Sequence, residues 1–500
     1  MKLNVKKTIY VGLAFLIICM FWQVYDNIIA KMLINSFGLN QTLSGVVLAL
    51  DNIVALFLLP LFGNFSDKVN TKYGKRTPFI TLGIIVAAIL FVGVSISDSY
   101  QQNLVAKHNL PEIVDIENLG NVIGYKYDDK EILEVKDSQG KVIGYRFADN
   151  EGDELDAYDL VGAKQAIENV KRADVWNITK GKIIYFIIFI SLLFIVLVVM
   201  GTFRSPAVSL MPDVTPKPLR SKANAIINLM GAVGGIISLI IMFFLAKDFQ
   251  SYVPTFVVLA ILMLLLLSVF LWKVKEPKLV EEMREISKQY GLEEDDEEEV
   301  SETSNTKMPK AVFRSFLLIL LAIIFWFMAY NAAISKFSVY AGQILDMKPE
   351  LPLLMANITA IIAFIPIGII STKFGRKKTI LCGIIILTLA FILGTIATKN
   401  TTFLIYLTMS IAGIGWATIN VNSYPMIVEM SRSSNIGKYT GYYYTASMSA
   451  QILTPVLSGA LMDGFNDMRV LFPYSVFFCV LAFITMLFVK HGDAKPIPEK

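Results

Sequence analysis

The chain has 500 residues, of which 55% are hydrophobic and 17% are charged, and its mean hydropathy is +0.59. Soluble globular proteins carry about 25% charged residues, so this composition excludes an ordinary soluble enzyme and indicates a protein embedded in a lipid bilayer. The net charge of +4 is small; its placement is therefore more informative than its size, and no nucleic-acid partner is expected.

The three cysteines and two histidines offer no catalytic or metal site. Cys19, Cys382 and Cys479 lie inside apolar stretches, and their spacing fits neither a metal site nor a disulfide framework. His108 and His491 lie in polar segments with no nucleophile or ligand cluster nearby. We therefore expect no enzyme activity, no metal and no cofactor.

Twelve apolar stretches are long enough to cross a bilayer, which takes about 20 residues. The first one runs past the length of a signal-peptide core and lacks a small-residue cleavage site, so we predict that it is a retained span. The predicted spans are 8–36, 42–64, 77–97, 182–202, 222–246, 252–273, 312–337, 350–371, 378–397, 402–424, 439–462 and 470–490.

Basic residues in the short loops set the predicted orientation. They precede the first span and follow the second, fourth and eighth spans, whereas loops 37–41 and 398–401 are almost free of charge. Because basic loops stay on the cytoplasmic side, we expect both termini to be cytoplasmic in a multi-pass protein of the plasma membrane. The basic residues concerned are Lys2, Lys6, Lys7, Lys68, Lys72, Lys75, Arg76, Lys217, Arg220, Lys222, Lys373, Arg376, Lys377 and Lys378.

Two long polar segments interrupt the spans. Residues 98–181 are rich in acidic side chains and contain GNVIGYKYDD and GKVIGYRFAD, which alternate as β-strands do and predict a small hairpin-containing cap. Residues 274–311 divide the spans six and six; LVEEMREISKQYG predicts a helix there, and EEDDEEE predicts a solvated acidic run.

The two halves of the chain repeat each other. Gly74 and Gly375 follow the second and eighth spans in similar sequences, 301 positions apart. Pro206 and Pro425 also correspond but lie only 219 positions apart, and the difference is close to the length of segment 98–181. A duplicated six-span unit with one insert in its first copy explains both offsets, and such repeats are usual in secondary transporters.

We therefore predict an all-α membrane protein with twelve transmembrane helices in two pseudo-symmetric six-helix bundles. A small extracellular insert adds β-hairpin-like strands. The predicted division of the chain is 1–97 (first three spans), 98–181 (insert), 182–273 (spans four to six), 274–311 (cytoplasmic linker), 312–490 (C-terminal bundle) and 491–500 (cytoplasmic tail).

The loop after the second span, GNFSDKVNTKYGKRTPFI, resembles the motif G-x-x-x-D-[RK]-x-G-[RK]-[RK] of the major facilitator superfamily. Its longer spacing before the second glycine is similar to that of the sucrose–proton carriers of plants and their animal and bacterial relatives. GIISTKFGRKKTI repeats the motif after the eighth span with Thr372 in place of the acid, and FRSPAVSLMPDVTPKPLRSKANAI and WATINVNSYPMIVEM are similar to the same branch. The motif residues of the first copy are Gly63, Asp67, Lys68, Gly74, Lys75 and Arg76.

The resemblance implies a transporter whose motif charges hold its two halves together while the site faces outward. Asp67 is expected to pair with Lys68 and Arg76 at the inner end of the second span. The alternative is that the basic residues only reflect the positive-inside pattern. The predicted cytoplasmic gate consists of Asp67, Lys68, Arg76, Arg204, Asp213, Arg220 and Arg376.

Two carboxylates lie deep inside predicted spans, where each costs roughly 2.5–3.5 kcal/mol. Asp26 and Asp51 are each about nine residues, or roughly 14 Å, from the outer ends of their adjacent antiparallel spans. If they face each other, repulsion and desolvation favour a proton on one of them near neutral pH, as a proton-coupling site requires. The alternative is that one acid bonds Asn27, Asn52 or Lys31 to fix helix packing.

The known coupling sites of similar carriers do not carry over to this chain. Melibiose-type sodium symporters have two acids in the second span, at positions that are Ala55 and Leu59 here. The fourth-span acid of plant sucrose carriers falls near Leu197. Coupling therefore depends on Asp26 and Asp51, and proton versus sodium stays open.

Aromatic and amide side chains recur four positions apart on several spans, so they share helical faces. Aromatic rings stack on the C–H faces of a sugar, and amides bond its hydroxyls, so the pattern favours a polar neutral ligand. Singly, each of these residues is equally compatible with packing or with an interfacial aromatic belt. The predicted substrate-binding residues are Trp22, Gln23, Tyr25, Asn27, Asn224, Asn228, Trp326, Tyr330, Asn331, Trp416, Asn420 and Gln451.

The favoured function is proton-coupled import of a sugar or glycoside by alternating access. One alternative is a drug or metabolite efflux antiporter; such proteins carry G-x-x-x-G-P-x-x-G-G in the fifth span, whereas GAVGG at 231–235 lacks the proline and the spacing and is better explained by close helix packing. Another is a non-transporting sensor that binds a ligand through segment 98–181. The sequence carries no signal for the oligomeric state.

Overall fold

The computed structural model describes residues 2–39, 41–118, 121–150, 155–157, 160–245, 251–290, 309–345, 347, 350–430, 435–465 and 468–493. Fourteen α-helices and a four-stranded sheet make up this part of the chain. The helices are α1 (Val5–Val24), α2 (Gln41–Lys68), α3 (Thr77–Ala106), α4 (Leu160–Gly181), α5 (Ile184–Asp213), α6 (Arg220–Leu245), α7 (Val253–Lys273), α8 (Glu276–Gln289), α9 (Lys310–Tyr340), α10 (Glu350–Phe374), α11 (Arg376–Thr395), α12 (Phe403–Glu429), α13 (Ile436–Phe465) and α14 (Leu471–Leu487).

Each of the twelve predicted spans coincides with one of these helices. Within the described residues, ten helices are long and apolar enough to cross a membrane. The last two predicted spans correspond to α13, which carries the polar run GYYYTASMSAQ, and to α14, which is apolar but has only 17 residues. Helices α4 and α8 lie in the insert and in the linker, respectively.

Small residues let the helices of each bundle approach closely, as expected where lipid gives no hydrophobic drive for association. Helices α1 and α6 pack so tightly that a Cβ on Gly234 would lie 2.3 Å from the carbonyl oxygen of Leu16. In the C-terminal bundle, a Cβ on Gly413 of α12 would lie 2.1 Å from the carbonyl oxygen of Ala356 on α10. The GAVGG segment therefore serves helix packing at Gly234.

The first helix of each bundle changes to π-helix toward its far end. Helix α1 continues as π-helical turns at Tyr25–Ile29 and Met32–Ser36, and α9 continues as a π-helical turn at Ala341–Leu345. π-Helical turns are rare and are often found at functional sites. The polar stretch Trp22–Asn27 thus lies where α1 departs from regular α-helix.

The insert contains the predicted strands, but their pairing differs from a single hairpin. Strands β1 (Val114–Asn118), β2 (Asn121–Tyr127), β3 (Lys130–Lys136) and β4 (Val142–Phe147) form an antiparallel sheet in sequential order. The two repeated segments form β2 and β4, which both pair with β3 and not with each other.

Helix α4 covers the sheet and closes a small core of its own. Tyr127, Ile132 and Ile167 are buried in this core. The hydroxyl of Tyr127 donates to Asp174 of α4 at 3.0 Å. Burial and the bond to this carboxylate raise the pKa of Tyr127 above its ordinary value, so the tyrosine stays neutral and keeps the donor that ties helix to sheet.

The insert is joined to the N-terminal bundle at the end of α1. Gly38 has a φ of +74°, which an L side chain rarely adopts, and a Cβ there would lie 2.4 Å from the backbone nitrogen of Trp176. The hydroxyl of Thr179 donates to the carbonyl oxygen of Phe37 at 2.9 Å. The end of α1 and helix α4 therefore fit together only with glycine at position 38.

We predict that Gly38→Ala lowers the thermal stability of the purified protein, because it forces both a strained φ and a clash with α4, at a cost of about 1–3 kcal/mol. The control is Gly181→Ala, because no atom lies within 4 Å of the added Cβ at the end of α4. Melting temperatures in detergent measure the difference. Equal melting temperatures for the two variants would contradict this account of the joint.

Candidate functional site

A central cavity of about 190 Å³ lies between the two bundles. Helices α1, α5 and α6 line it on one side, and α9, α12 and α13 line it on the other. Polar and aromatic side chains make up most of its wall. The lining residues are Phe15, Arg204, Val208, Asn224, Ile227, Asn228, Phe327, Trp416, Asn420, Tyr424, Tyr443, Tyr444, Ser447, Met448 and Gln451.

Five predicted substrate-binding residues line this cavity: Asn224, Asn228, Trp416, Asn420 and Gln451. Asn224 Nδ2 donates across the bundles to the carbonyl oxygen of Val421 at 2.9 Å. The hydroxyl of Tyr443 donates to Asn420 Oδ1 at 3.4 Å. Asn224 therefore joins the two walls of the cavity, whereas the bond to Asn420 joins two helices of the C-terminal bundle.

Trp416 is the centre of an aromatic platform on the C-terminal side of the cavity. Tyr330 stacks on it with ring centroids 4.2 Å apart and an interplanar angle of 7°. Phe327 meets the same indole edge-on at 5.0 Å. This packing fixes the orientation of the indole without any ligand, which is the arrangement that a stacking surface needs.

Arg204 lies at the cavity, and its prediction as a residue of the gate network places it wrongly. Its guanidinium sits between the rings of Trp22, 5.4 Å away, and Tyr444, 4.9 Å away. The reason is that α5 does not end at residue 202 but continues through two prolines to Asp213. Arg204 is therefore nine residues, or roughly 14 Å, above the end of that helix.

Asp26 and Asp51 lie close enough to interact electrostatically with each other, and both also interact with Arg204. The hydroxyl of Tyr25 lies close enough to Asp26 and Asp51 to interact electrostatically with both. It also donates to the carbonyl oxygen of Leu48 at 3.5 Å, and this bond joins the first span to α2. Asp26 is exposed, unlike the buried core residues of α1. The structure thus brings together two acidic side chains, Asp26 and Asp51, and one basic side chain, Arg204, from three different spans.

The amides around these acids bond locally. Asn52 donates to Asp51 Oδ1 through its backbone nitrogen at 2.5 Å and its side chain at 2.8 Å. Asn27 Nδ2 donates to the carbonyl oxygen of Gln23 at 2.7 Å, within the same helix. These bonds lie within one helix and satisfy the amide donors, and the basic group that acts on both acids is Arg204.

Several predicted binding residues do not line the central cavity. Trp326 is fully buried in the core of the C-terminal bundle, because Phe327 and Tyr330 occupy the face of α9 that meets Trp416. Trp22 reaches the cavity only through Arg204. The others outside the lining are Gln23, Tyr25, Asn27 and Asn331, together with Tyr330, which lies behind Trp416.

The cavity face of α13 is the main part of the site that our sequence analysis missed. Tyr443, Tyr444, Ser447 and Met448 share it with the predicted Gln451. Their spacing of three and four residues marks one helical face. The run GYYYTASMSAQ carried this signal, because tyrosine and serine are unexpected in the middle of a span.

The two bundles are closed against each other at the end that carries residues 2–4 and 490–493, which we call the terminal face. Asp67 accepts hydrogen bonds from the backbone nitrogens of Gly437 and Lys438, both at 2.9 Å, on the opposite bundle. Arg76 donates to Asp67 at 2.5 Å and to Asp213 at 2.7 Å. We call Asp67, Arg76 and Asp213 the N-terminal ion cluster.

The two carboxylates of this cluster hold Arg76 in its charged form. Burial alone would lower the pKa of Arg76, but the carboxylates of Asp213 and Asp67 outweigh that effect and raise it above its ordinary value. Lys68, which was predicted to join the cluster, is exposed at the end of α2. Among the described residues, the basic partner of Asp67 is therefore Arg76 alone, and Lys68 takes no part in the cluster.

A second ion cluster joins the two bundles at the terminal face. It consists of Arg220 from the N-terminal bundle and of Arg376 and Glu429 from the C-terminal bundle. Arg376 donates to Glu429 at 2.8 Å, to the hydroxyl of Ser221 at 3.0 Å and to the carbonyl oxygen of Lys217. Arg220 lies 3.7 Å from Glu429. Glu429 was not predicted, although it stands one helical turn after Pro425.

An acid from beyond α7 caps the motif loop of the N-terminal bundle. Glu276, at the start of α8, accepts from the backbone nitrogens of Lys75, Arg76 and Thr77 at 2.7 to 3.1 Å. Gly74 has a φ of +107°, and a Cβ there would lie 2.2 Å from the Glu276 carboxyl carbon. A carboxylate at the start of α3 is favoured by the helix dipole.

The C-terminal bundle is capped in the same way. Asp493, beyond α14, accepts from the backbone nitrogen of Arg376 at 2.6 Å. Gly375 has a φ of +89°, and a Cβ there would lie 2.9 Å from the Asp493 carboxylate. Thr372 stands where the first motif copy has Asp67, but the acid that shapes this second loop is Asp493.

Close backbone contact between α2 and α13 also closes the terminal face, next to the N-terminal ion cluster. A Cβ on Gly63 of α2 would lie 2.0 Å from the carbonyl oxygen of Gly437, and one on Gly441 would lie 2.1 Å from Pro60. Gly437 and Gly441 are four residues apart on α13, so this is a small-residue helix contact. No solute can pass between α2 and α13 at this level while the contact persists.

Two family models match the chain outside residues 1–10 and 105–180. The model described as Major Facilitator Superfamily matches residues 181–365 and 351–500, and the model described as MFS/sugar transport protein matches residues 11–104. No curated protein sequence matches the chain significantly.

Solved transporter structures share the fold at low sequence identity. The proton:xylose symporter XylE bound to 6-bromo-6-deoxy-D-glucose is 12% identical with a TM-score of 0.64, over 99% of this chain and 97% of that chain. A bacterial homologue of the iron transporter ferroportin, in an outward-facing state with soaked iron, is 10% identical with a TM-score of 0.63, over 97% and 99%. The transporter FucP in the outward conformation is 12% identical with a TM-score of 0.58, over 98% and 99%. At these identities, the likeness shows the fold alone.

We predict that Asp67→Asn opens the terminal face, because an amide attracts Arg76 and two backbone donors less strongly than a carboxylate does. Spin labels on cysteines introduced at the exposed positions Tyr73 and Lys378, with the native cysteines replaced by alanine, report the distance between the bundles. The expected result is a larger population at long distance.

The matched control is Lys68→Gln, which removes the adjacent charge from an exposed position and should leave the distance distribution unchanged. If Asp67→Asn and Lys68→Gln give the same distribution, the N-terminal ion cluster does not hold the bundles together.

Proposed function

Because the chain belongs to the Major Facilitator Superfamily, we propose that it is a secondary active transporter that imports a sugar or glycoside together with protons. The observation that carries the proposal is the polar, aromatic cavity between two bundles that are closed at one face. In the proposed orientation, the terminal face is cytoplasmic and the insert faces outward across the plasma membrane. The cavity is then the site that alternates between the two sides.

The cavity wall supports a sugar as substrate. The Trp416 platform offers a flat surface for the C–H face of a pyranose ring, and the amides of Asn228, Asn420 and Gln451 offer partners for hydroxyls. A divalent metal, the other substrate class among the structural neighbours, needs converging carboxylates, imidazoles or thiolates. Amides, hydroxyls and rings around one arginine favour the sugar.

Asp26 and Asp51 support coupling to protons. Their repulsion makes the doubly ionised state costly in a membrane span, and Arg204 offsets one negative charge. A proton taken up by one acid weakens its attraction for Arg204. The arginine, held between Trp22 and Tyr444, is then released to bind substrate oxygen atoms, so proton binding and sugar binding favour each other.

Alternating access requires that the closed terminal face be stable but reversible. Each ion cluster joins both bundles through a few buried polar contacts. A ligand shifts such an equilibrium only by as much as its affinity differs between the two states. We infer that proton and sugar bind the cavity more tightly as the outer side closes around them, and that this difference breaks the clusters.

We predict that Asp26→Asn abolishes accumulation of sugar against a gradient, because the position can no longer bind and release a proton. Counterflow exchange of labelled sugar should persist, since exchange needs no net proton movement. Uptake of a labelled disaccharide panel into proteoliposomes, under an imposed pH gradient, measures both. The control Asp129→Asn changes an exposed acid of the insert and should accumulate normally.

Full accumulation by Asp26→Asn would remove this residue from the coupling mechanism. Uptake by the unchanged protein that survives collapse of the pH gradient would reject proton symport altogether.

We predict that Trp416→Ala raises the Kd for the transported sugar by at least about 5-fold, because it removes the stacking platform, and aromatic contacts are worth about 0.5–1.5 kcal/mol beyond burial. The matched control is Trp272→Ala, because Trp272 is 68% exposed at the end of α7. Isothermal titration with the purified variants measures the affinity. Unchanged affinity in Trp416→Ala would place the sugar elsewhere.

A further inference from the structure

A polar cluster lies buried outside the cavity, where α1, α3 and α4 meet on the insert side. Asp98 and Gln101 of α3 are fully buried beside Ser36, in the π-helical end of α1. Gln101 Nε2 donates to the carbonyl oxygen of Ser36 at 3.1 Å and to the hydroxyl of Thr179 at 2.8 Å. Gln102 Nε2 donates to Asp98 Oδ2 at 2.8 Å.

Two oxygen atoms of this cluster have no hydrogen-bond partner: Asp98 Oδ1 and Gln101 Oε1. Reversing the Gln101 amide would not help, because its oxygen would then face the carbonyl oxygen of Ser36. A buried acceptor without a donor costs about 1–3 kcal/mol, and more if it is charged. An ionised Asp98 would therefore leave an uncompensated charge on Oδ1.

No charged side chain of the described residues offsets a negative charge on Asp98. The groups that act on it are the hydroxyl of Ser36 and the amide of Gln102, both neutral. On α4, Lys180 lies over the ring of Trp176 and Arg172 donates to Asn169. Ser251, which precedes α7 and bonds to Ser99, and the buried Thr255 on α7, which packs against α3, are uncharged.

A single proton on Asp98 removes the uncompensated charge. It neutralises Asp98 and turns Oδ1 from an acceptor into a donor, and Gln101 Oε1, three residues along the same helix, is an acceptor without a donor. The proton stays on the carboxyl, no bond in the protein breaks, and no other reactant is needed.

We propose that Asp98 is a proton-binding site separate from the cavity acids, and that its neutral carboxyl fastens the outer end of α1 to the insert. Gln101 and Thr179 hold the carbonyl oxygens of Ser36 and Phe37, which are consecutive residues at the end of the π-helical segment. Loss of the proton puts a charge into this joint and loosens α1 from α4. The proposal does not depend on which substrate is transported.

The direct test is infrared difference spectroscopy of the purified full-length protein in nanodiscs, which detects the carbonyl stretch of protonated carboxylic acids. We expect a band at neutral pH that persists when Asp26 and Asp51 are both changed to asparagine, and that disappears in Asp98→Asn. Gln102→Leu keeps the carboxyl but removes a bond to Oδ2, so it should shift the band without abolishing it. A spectrum unchanged by Asp98→Asn would overturn the proposal.

Thermal stability as a function of pH gives an independent readout. A group that holds its proton in the folded state but not in the unfolded chain contributes stability that is lost as pH rises. The wild-type melting temperature should therefore fall between pH 5 and pH 9 by more than that of Asp98→Asn, and Asp98→Asn should melt at least as high as wild type above pH 7.

Two results would contradict this account. If Asp98→Asn is less stable than wild type at neutral pH and has the same pH dependence, Asp98 is an ionised residue held by Ser36 and Gln102. If Na⁺ raises the melting temperature of wild type and not of Asp98→Asn, with K⁺ as the reference salt, the two unpartnered oxygens bind a metal cation and not a proton.

Discussion

The closed conformation depends on a buried carboxylate, Asp67, which is shared between the two bundles. A buried ion pair gains little over an apolar contact, but removing one partner leaves an uncompensated charge and is strongly destabilising. Asp67 meets this condition because it takes one arginine from its own bundle and two backbone N–H groups, of Gly437 and Lys438, from the other. The bundles are therefore either fully joined or fully parted at this level, and intermediate separations leave Asp67 and Arg76 unsatisfied.

The need to satisfy Asp67 also explains why the backbone of each motif loop is held in one position. Arg76 can reach Asp67 and Asp213 only if the start of α3 is fixed, and Glu276 fixes it by accepting from the loop backbone. Close approach of Glu276 leaves no room for a Cβ on Gly74. Gly74, Glu276 and Arg76 are therefore one structural unit, and the C-terminal bundle repeats it with Gly375, Asp493 and Arg376.

The sequence predicted what depends on local pattern and failed where the outcome depends on how helices end and rotate. Span positions, the insert strands and the amides Asn224 and Asn420 followed from hydropathy, alternation and helical spacing. Arg204 was misplaced because the predicted span ended at residue 202, whereas α5 continues to Asp213. Trp326 was misplaced because a spacing of four residues defines a helical face but not its rotation toward a neighbour, which packing in the finished bundle decides. Glu276 and Asp493 act across long sequence separations, which no local pattern reveals.

The capping of the second motif loop gives the segment after α14 a structural role in the contact between the two bundles. Asp493 lies six residues beyond the last helical residue, Leu487, yet it holds the backbone nitrogen of Arg376 at the start of α11. A fluorescent reporter or affinity tag spliced directly onto α14 would delete this acid while leaving every membrane helix intact. Such a fusion would insert and fold but would carry a misaligned Arg376, so any tagged version has to keep the native chain through Asp493.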